Sequence, residues 1–346
     1  MASQMKSLLV PTAKFALALS LVFWLVSQGH LDFSLLSKLL QPHLLLILTL
    51  LTGLNLLLAN WRWTLLLQAR GFAVRHRDTF PLYLIGLFFN YAIPGAIGGD
   101  VVKAFYLTKD HPKRKIEAVT TVAMDRLLGL YAMAMLALMA ILLDLNLVLT
   151  NLRMQWVALI IFALFLAMSL FFISAFSSWL KSRPVFQIRL ARLPAGATFL
   201  GLYESVHAYR AHWPVLGKTL LISLAAQFVA VFFMWVVGQA LGYREVSPIT
   251  YLFAVPIGFM LSALPLSPAG VGVGQMAFLF LFSLHLGTSS EVGPAVITVF
   301  QIALFAWGLV GAVFYLRRKQ GPQKQSDGGG ELALGGYSQD HNFAKD

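Results

Sequence analysis

Two apolar stretches of this chain are broken by Pro and Gly at corresponding places. The first break runs from Asn90 to Asp100 and holds Pro94, Gly95, Gly98 and Gly99; the second runs from Leu264 to Gln275 and holds Pro265, Pro268, Gly270, Gly272 and Gly274. Pro removes a backbone donor and Gly weakens a helix, so each stretch reads as two short helices around a bend. In lipid a broken backbone must be buried in protein or line a wet cavity. Paired breaks, one in each half of a chain, point to a transporter-like site.

The lipid setting follows from the rest of the sequence. Of 346 residues, 58% are hydrophobic and 12% are charged, about half the charge of a soluble domain. Long apolar runs recur with no polar face, and a soluble monomer cannot hide such helices. The chain therefore reads as an all-α polytopic membrane protein. Six full spans are expected: Leu8–Val26, Leu44–Leu66, Ala118–Leu143, Trp156–Phe176, Lys218–Leu241 and Gly293–Leu316. Leu8–Val26 follows Lys6 without a small-residue cleavage site and reads as a retained span, not a signal peptide. Residues 1–320 form one integral-membrane domain with halves at about 8–143 and 156–316. Residues 321–346, rich in Gly, Gln, Ser and Asp, form a polar tail expected to be disordered.

The formal net charge is +12. Its distribution between apolar spans fits membrane topology and anionic lipid surfaces, not nucleic acid. Arg70, Arg75, Arg77, Lys109, Lys113, Arg114, Lys115, Lys181, Arg183, Arg189, Arg192, Arg210, Arg317, Arg318 and Lys319 fall on one set of connections; Lys38, Arg153 and Arg244 fall on the other. The positive-inside rule makes the first set cytoplasmic, with both termini inside. Pro81–Leu107 then starts and ends at the cytoplasmic side, and Tyr251–Leu286 starts and ends at the outer side. Each becomes a re-entrant hairpin, and the halves form an inverted repeat. Between them, Thr198–His212 reads as an amphipathic interfacial helix, with Phe199, Leu202, Val206 and Tyr209 on one face.

A few ionisable residues fall where lipid would penalise them. Asp125 and Arg126 lie about two turns inside the Ala118–Leu143 span, a position that turns inward, pairs or lines a cavity. Arg126 reads either as a tie to the first hairpin or as a phosphate-binding arginine. Asp100 and Lys103 follow the first break, one turn apart; they read as a cap and a snorkelling lysine, or as part of an anionic-headgroup site reached past Gly98 and Gly99. Arg62, between Trp61 and Trp63, is either an interfacial anchor or a third member of that site. Gln275 starts the second half-helix and either bonds a substrate or fixes the hairpin. The expected headgroup-binding set is thus Arg62, Lys103, Asp125, Arg126 and Gln275.

Enzyme signatures are sparse. The Gly270-x-Gly272-x-Gly274 run follows no soluble strand and has no Lys-Ser/Thr, so no nucleotide or ATP site is read from it. The sequence has no Cys, and His207 and His212 are poorly spaced for a metal; no catalytic residue, metal or cofactor is expected. Asp100 and Asp125 are the only candidates for a base in a membrane-embedded transferase.

The combined pattern Pro94-Gly95-x-x-Gly98-Gly99-Asp100-x-x-Lys103, Asp125-Arg126-x-x-Gly129 and Pro268-Ala269-Gly270-x-Gly272-x-Gly274-Gln275 resembles the lysylphosphatidylglycerol synthase transmembrane-region family of flippase-like proteins. The resemblance covers about residues 8–320. It implies a multi-pass protein of a bacterial or archaeal cytoplasmic membrane that moves an anionic or polar envelope lipid between leaflets. In two-domain relatives a soluble domain makes the aminoacyl-lipid; this chain reads as a stand-alone member. The implied partners are membrane lipids, an anionic phospholipid or a lipid-linked glycan, and an envelope-biosynthesis enzyme. Alternatives are a headgroup transferase or a non-transporting partner of an envelope glycosyltransferase. Lys103 stands where the family commonly has arginine, and Gln275 where an acid is common.

Overall fold

The computed structural model describes residues 20, 22–24, 26, 27, 39–92, 98–177 and 196–320. The first expected span lies largely outside these residues, as do Pro94, Gly95 and the polar tail. The described chain is helical: α1 (Pro42–Ala69), α2 (His76–Ala92), α3 (Gly98–Asp110), α4 (Lys115–Leu143), α5 (Leu145–Thr150), α6 (Leu152–Phe176), α7 (Gly196–His207), α8 (Trp213–Leu241), α9 (Pro248–Ser262), α10 (Val273–Leu286) and α11 (Val292–Gln320). Among the described residues, six helical segments are long and apolar enough to cross a membrane: Pro42–Ala69, Pro112–Leu143, Leu152–Phe176, Leu200–Leu241, Pro268–Leu286 and Val292–Arg318. The all-α polytopic membrane fold read from the apolar runs is the fold observed.

The six segments are not quite the six expected. Five coincide, and the additional one is the second arm of the Tyr251–Leu286 stretch. Pro268–Gly270 forms a 3-10 turn that prolongs α10 backward. The expected helix within 198–212 is present and is joined to the bundle. α7 packs on α4 and α6, and a 3-10 turn over Ala208–His212 runs straight into α8. Tyr209 is fully buried among Leu66, Met124, Leu128, Phe172 and Leu216, and its hydroxyl donates to the Leu66 carbonyl at 3.2 Å. A buried aromatic with a satisfied hydroxyl holds that turn in the bundle.

The two broken stretches form two helix pairs. α2 packs antiparallel to α3: Gly86 faces Lys103, and Asn90 faces Gly99. α9 packs antiparallel to α10: Thr250 meets His285, Tyr251 meets Phe282, and Ser262 meets Gly274. At ~1.5 Å per residue these arms are about 20–25 Å long, while the 29-residue α4 reaches about 43 Å. The hydrocarbon layer is about 30 Å thick. α4 alone thus spans the distance covered by the two pairs together.

Contacts along α4 fix where each pair sits. Near its start, Arg114 donates to the carbonyls of Arg70 and Gly71, beside the open end of α2–α3. Just past its other end, Asp144 lies 3.4 Å from His285 Nε2, at the open end of α9–α10. The closed ends approach one another between, where Arg126 donates to the carbonyl of Ala263 at 3.4 Å.

Close backbone approach explains several of the glycines. A Cβ on Gly99 would sit 2.1 Å from the Gly86 carbonyl oxygen, and the Gly99 amide donates to Asn90 Oδ1 at 2.8 Å. Gly99 is therefore used to close the α2–α3 pair, not to leave room for a ligand. At the other bend, Gly270 and Gly272 hold φ of +72° and +80°, the left-handed region that Gly enters without penalty. Gly99→Ala should lower stability by about 1–3 kcal/mol through overpacking, read as a lower melting temperature in detergent. Gly217→Ala, where an added methyl meets nothing within 4 Å, should show no loss.

Candidate functional site

A cavity of about 340 Å³ lies among α1, α2, α3, α4, α8, α9, α11 and the α9–α10 bend. Its charged wall comes from three helices. Residue 62 is near the end of α1, between Trp61, which is exposed, and Trp63, which is fully buried. That alternation turns Arg62 inward: it is 8% exposed, and its Nε donates to Asp125 Oδ1 at 2.7 Å. Its Nη1 donates to Ser223 Oγ of α8 at 3.2 Å. Of the Trp-Arg-Trp run, only Trp61 is exposed; Arg62 and Trp63 are buried.

Lys103 sits one turn into α3 and does not snorkel. Its Nζ is 2.8 Å from Asp100 Oδ1 and 3.9 Å from Asp125 Oδ2. The ammonium lies 5.3 Å from the ring centroid of Trp63 and 5.0 Å from that of Tyr83, within cation–π range. Two carboxylates and two ring faces replace water around a lysine that is only 6% exposed. Asp100 also accepts from Arg126 Nη1 at 2.5 Å. Arg126 thus ties the α2–α3 pair to α4, and through Ala263 it touches the α9–α10 bend. The tie and the cavity-facing position are both present, because Arg126 lines the cavity as well.

Arg62, Asp125, Lys103, Asp100 and Arg126 therefore form one continuous chain of ion pairs. Counting formal charges, three cations face two carboxylates and the group keeps one net positive charge. Each pair taken into a low-dielectric interior carries a desolvation cost that only its partners offset. The leftover positive charge makes this wall a place where an anion is favoured.

Gln275 is placed elsewhere. Its Oε1 accepts from the Gly272 amide at 2.7 Å, and its Nε2 donates to Thr298 Oγ1 at 3.1 Å and Gln301 Oε1 at 2.7 Å. It is buried and fixes the second bend to α11, and it does not line the cavity. Of the two readings of this residue, the geometry gives the hairpin-fixing one. Pro268 and Gly270 are buried in the same bend, and Ala269 reaches the cavity with a left-handed φ of 48°.

Several lining residues escaped the reading of the sequence: Asn55 on α1, Tyr83 and Asn90 on α2, and Gln227 on α8, with Ser223 of α8 behind Arg62. Ser223 and Gln227 stand one turn apart on a mostly apolar helix. A lone polar residue inside a span is itself a signal of an inward face. Tyr83 carries no such mark, since a ring near a membrane surface is ordinary. Among the described residues no group of three His, Cys, Asp or Glu could hold a metal ion.

The ion chain makes a prediction about stability. Asp125→Leu leaves Arg62 and Lys103 facing each other's charge with only Ser223 and Asp100 as partners. It should cost more than Arg62→Leu, which leaves Asp125 near Lys103. Breaking a buried pair costs about 3–5 kcal/mol, and removing both partners much less. The double variant Arg62→Leu/Asp125→Leu should therefore melt above Asp125→Leu alone in detergent.

Comparison with curated proteins and with solved structures found no match. A family model does match: the lysylphosphatidylglycerol synthase TM region, over residues 12–312. That span takes in every wall of the cavity, both helix pairs and the whole ion chain. The chain belongs to the lysylphosphatidylglycerol synthase transmembrane-region family of flippase-like membrane proteins.

Proposed function

We propose that this protein moves an anionic lipid headgroup between the leaflets of a bacterial or archaeal cytoplasmic membrane. The observation that carries the reading is the net positive charge of the Arg62–Asp125–Lys103–Asp100–Arg126 chain, buried beside a cavity inside helices of membrane-spanning length. An isolated charge in hydrocarbon costs far more than a paired one. A lipid phosphate beside these cations completes their charge balance, while its acyl tails stay in the bilayer. Movement is then passive or driven by a gradient.

In the proposed arrangement, α2–α3 enters from the cytoplasmic side and α9–α10 from the outer side, as halves of an inverted repeat. The termini are cytoplasmic. Support comes from the Lys and Arg bias of the connections and from the contacts of the two open ends with opposite ends of α4. The transferase alternative needs a base, and both candidates, Asp100 and Asp125, are already held by cations. Asp100 is held by two of them, Lys103 and Arg126.

Reconstitution in vesicles tests the transport reading. Labelled phosphatidylglycerol should cross faster than in protein-free vesicles. Lys103→Ala and Arg126→Ala should slow it at least about tenfold, the size of one lost charge-assisted bond, with folding checked by melting. No crossing above the protein-free rate would sink the proposal. The topology has its own check, since the chain has no native Cys. Ala73→Cys and Glu245→Cys lie in exposed connections. They should react with a membrane-impermeant maleimide from opposite sides; labelling from one side would rule out the opposed hairpins.

A further inference from the structure

The cavity has a second, uncharged end. Asn55 lies two turns before Arg62 on α1, about 10 Å along the axis. On α8, Gln227 lies one turn beyond Ser223, the residue that accepts from Arg62. Asn55 and Gln227 both line the cavity. Asn55 has already committed its amide nitrogen to the Ala226 carbonyl at 2.7 Å. Gln227 keeps an open group: it is 8% exposed, and its side-chain oxygen has no hydrogen-bond partner. A buried polar atom left unpaired costs about 1–3 kcal/mol, so such a group calls for a ligand or water.

The two ends together describe a headgroup. Both carboxylates of the cavity are taken by cations, and no further acid lines it. An ammonium group would add positive charge to a wall that already has an excess. The neutral end offers an acceptor oxygen and takes a hydroxyl donor instead. The volume, about 340 Å³, is at the small end for ligand cavities and accommodates a phosphodiester with a short polyol.

We infer that the site selects a phosphodiester lipid of net charge −1 with a small hydroxylated head, its phosphate at Arg62, Lys103 and Arg126 and a hydroxyl at Gln227. This inference rests on the proposed headgroup transport. It separates the chain's ligand from an aminoacylated lipid. Gln227 is its specificity-determining residue.

Binding to the purified full-length protein, measured by native mass spectrometry with competing lipids, tests it independently of transport. Phosphatidylglycerol and phosphatidylmethanol carry the same charge, but only the first has head hydroxyls. Wild type should prefer phosphatidylglycerol by about five- to tenfold, the worth of one buried hydrogen bond. Gln227→Leu should bring that ratio to about one. Gln227→Glu, which cancels the excess charge, should raise binding of lysylated phosphatidylglycerol at least about fivefold, the worth of one charge-assisted contact. Equal binding of the two anionic lipids to wild type, with both above phosphatidylcholine, overturns the hydroxyl inference and leaves the anion site standing. Binding of no anionic lipid overturns both. Free glycerophosphoglycerol binding as tightly as the lipid also overturns it, because the ligand is then soluble.

Discussion

The fold is organised around a charge cluster that lipid would reject. Arg62, Asp125, Lys103, Asp100 and Arg126 come from α1, α4 and α3, and each is held by at least one of the others. α4 cannot leave α1 without breaking Arg62–Asp125, nor leave α3 without breaking Arg126–Asp100 and Lys103–Asp125. Apolar packing cannot impose that requirement in a membrane, where lipid tails are as apolar as Leu. The ions therefore set which helices meet and at what depth. The fully buried Trp63 and the ring of Tyr83 close the remaining side of Lys103.

The two helix pairs solve the same backbone problem in different ways. At the first bend the arms close by a near-contact of Gly86 and Gly99, with Asn90 receiving the free amide of Gly99. The second bend uses left-handed backbone at Ala269, Gly270 and Gly272, with Gln275 receiving the free amide of Gly272. Each uses an amide side chain as acceptor. The pairs diverge in the helix beyond the bend: Asp100 and Lys103 project charge from α3, while Gln275, Thr298 and Gln301 form a neutral network with α11. One pair supplies the electrostatics and the other supplies a fixed wall.

Much of this was legible in the sequence. Pro and Gly breaks marked both pairs, because backbone rules are local. Asp125 and Arg126 marked the site by depth alone, and Asp100 and Lys103 by their place after a break. The misreadings concern choices between alternatives that only a packing partner decides. Gly99 looks the same whether it admits a phosphate or a neighbouring carbonyl, and Trp63 looks like a surface anchor until Leu67, Leu82 and Leu107 surround it. Gln227 escaped because nothing local says that an amide within a span shares a cavity with Arg62. The packing of the segment at 196–212 on α4 and α6 was not legible, because its helical periodicity fits a lipid surface as well as a helix groove.

The excess charge also bears on how little the protein needs to do. A phosphodiester head carries −1, and the wall carries one uncompensated positive charge. In the proposed transport the two meet inside the bilayer and the local sum is near zero. The electrostatic cost of holding a head at that depth then falls from that of an isolated ion to that of a set of paired dipoles. Since the tails never leave lipid, no large apolar area has to be exposed and covered again. The same argument limits affinity. A wall with two or three unpaired cations would hold the phosphate too firmly to release it, whereas carboxylates that take up all but one charge leave an attraction sufficient for entry and weak enough for exit. Asp100 and Asp125 thus matter to the proposed transport without touching the lipid: they set how positive the site is.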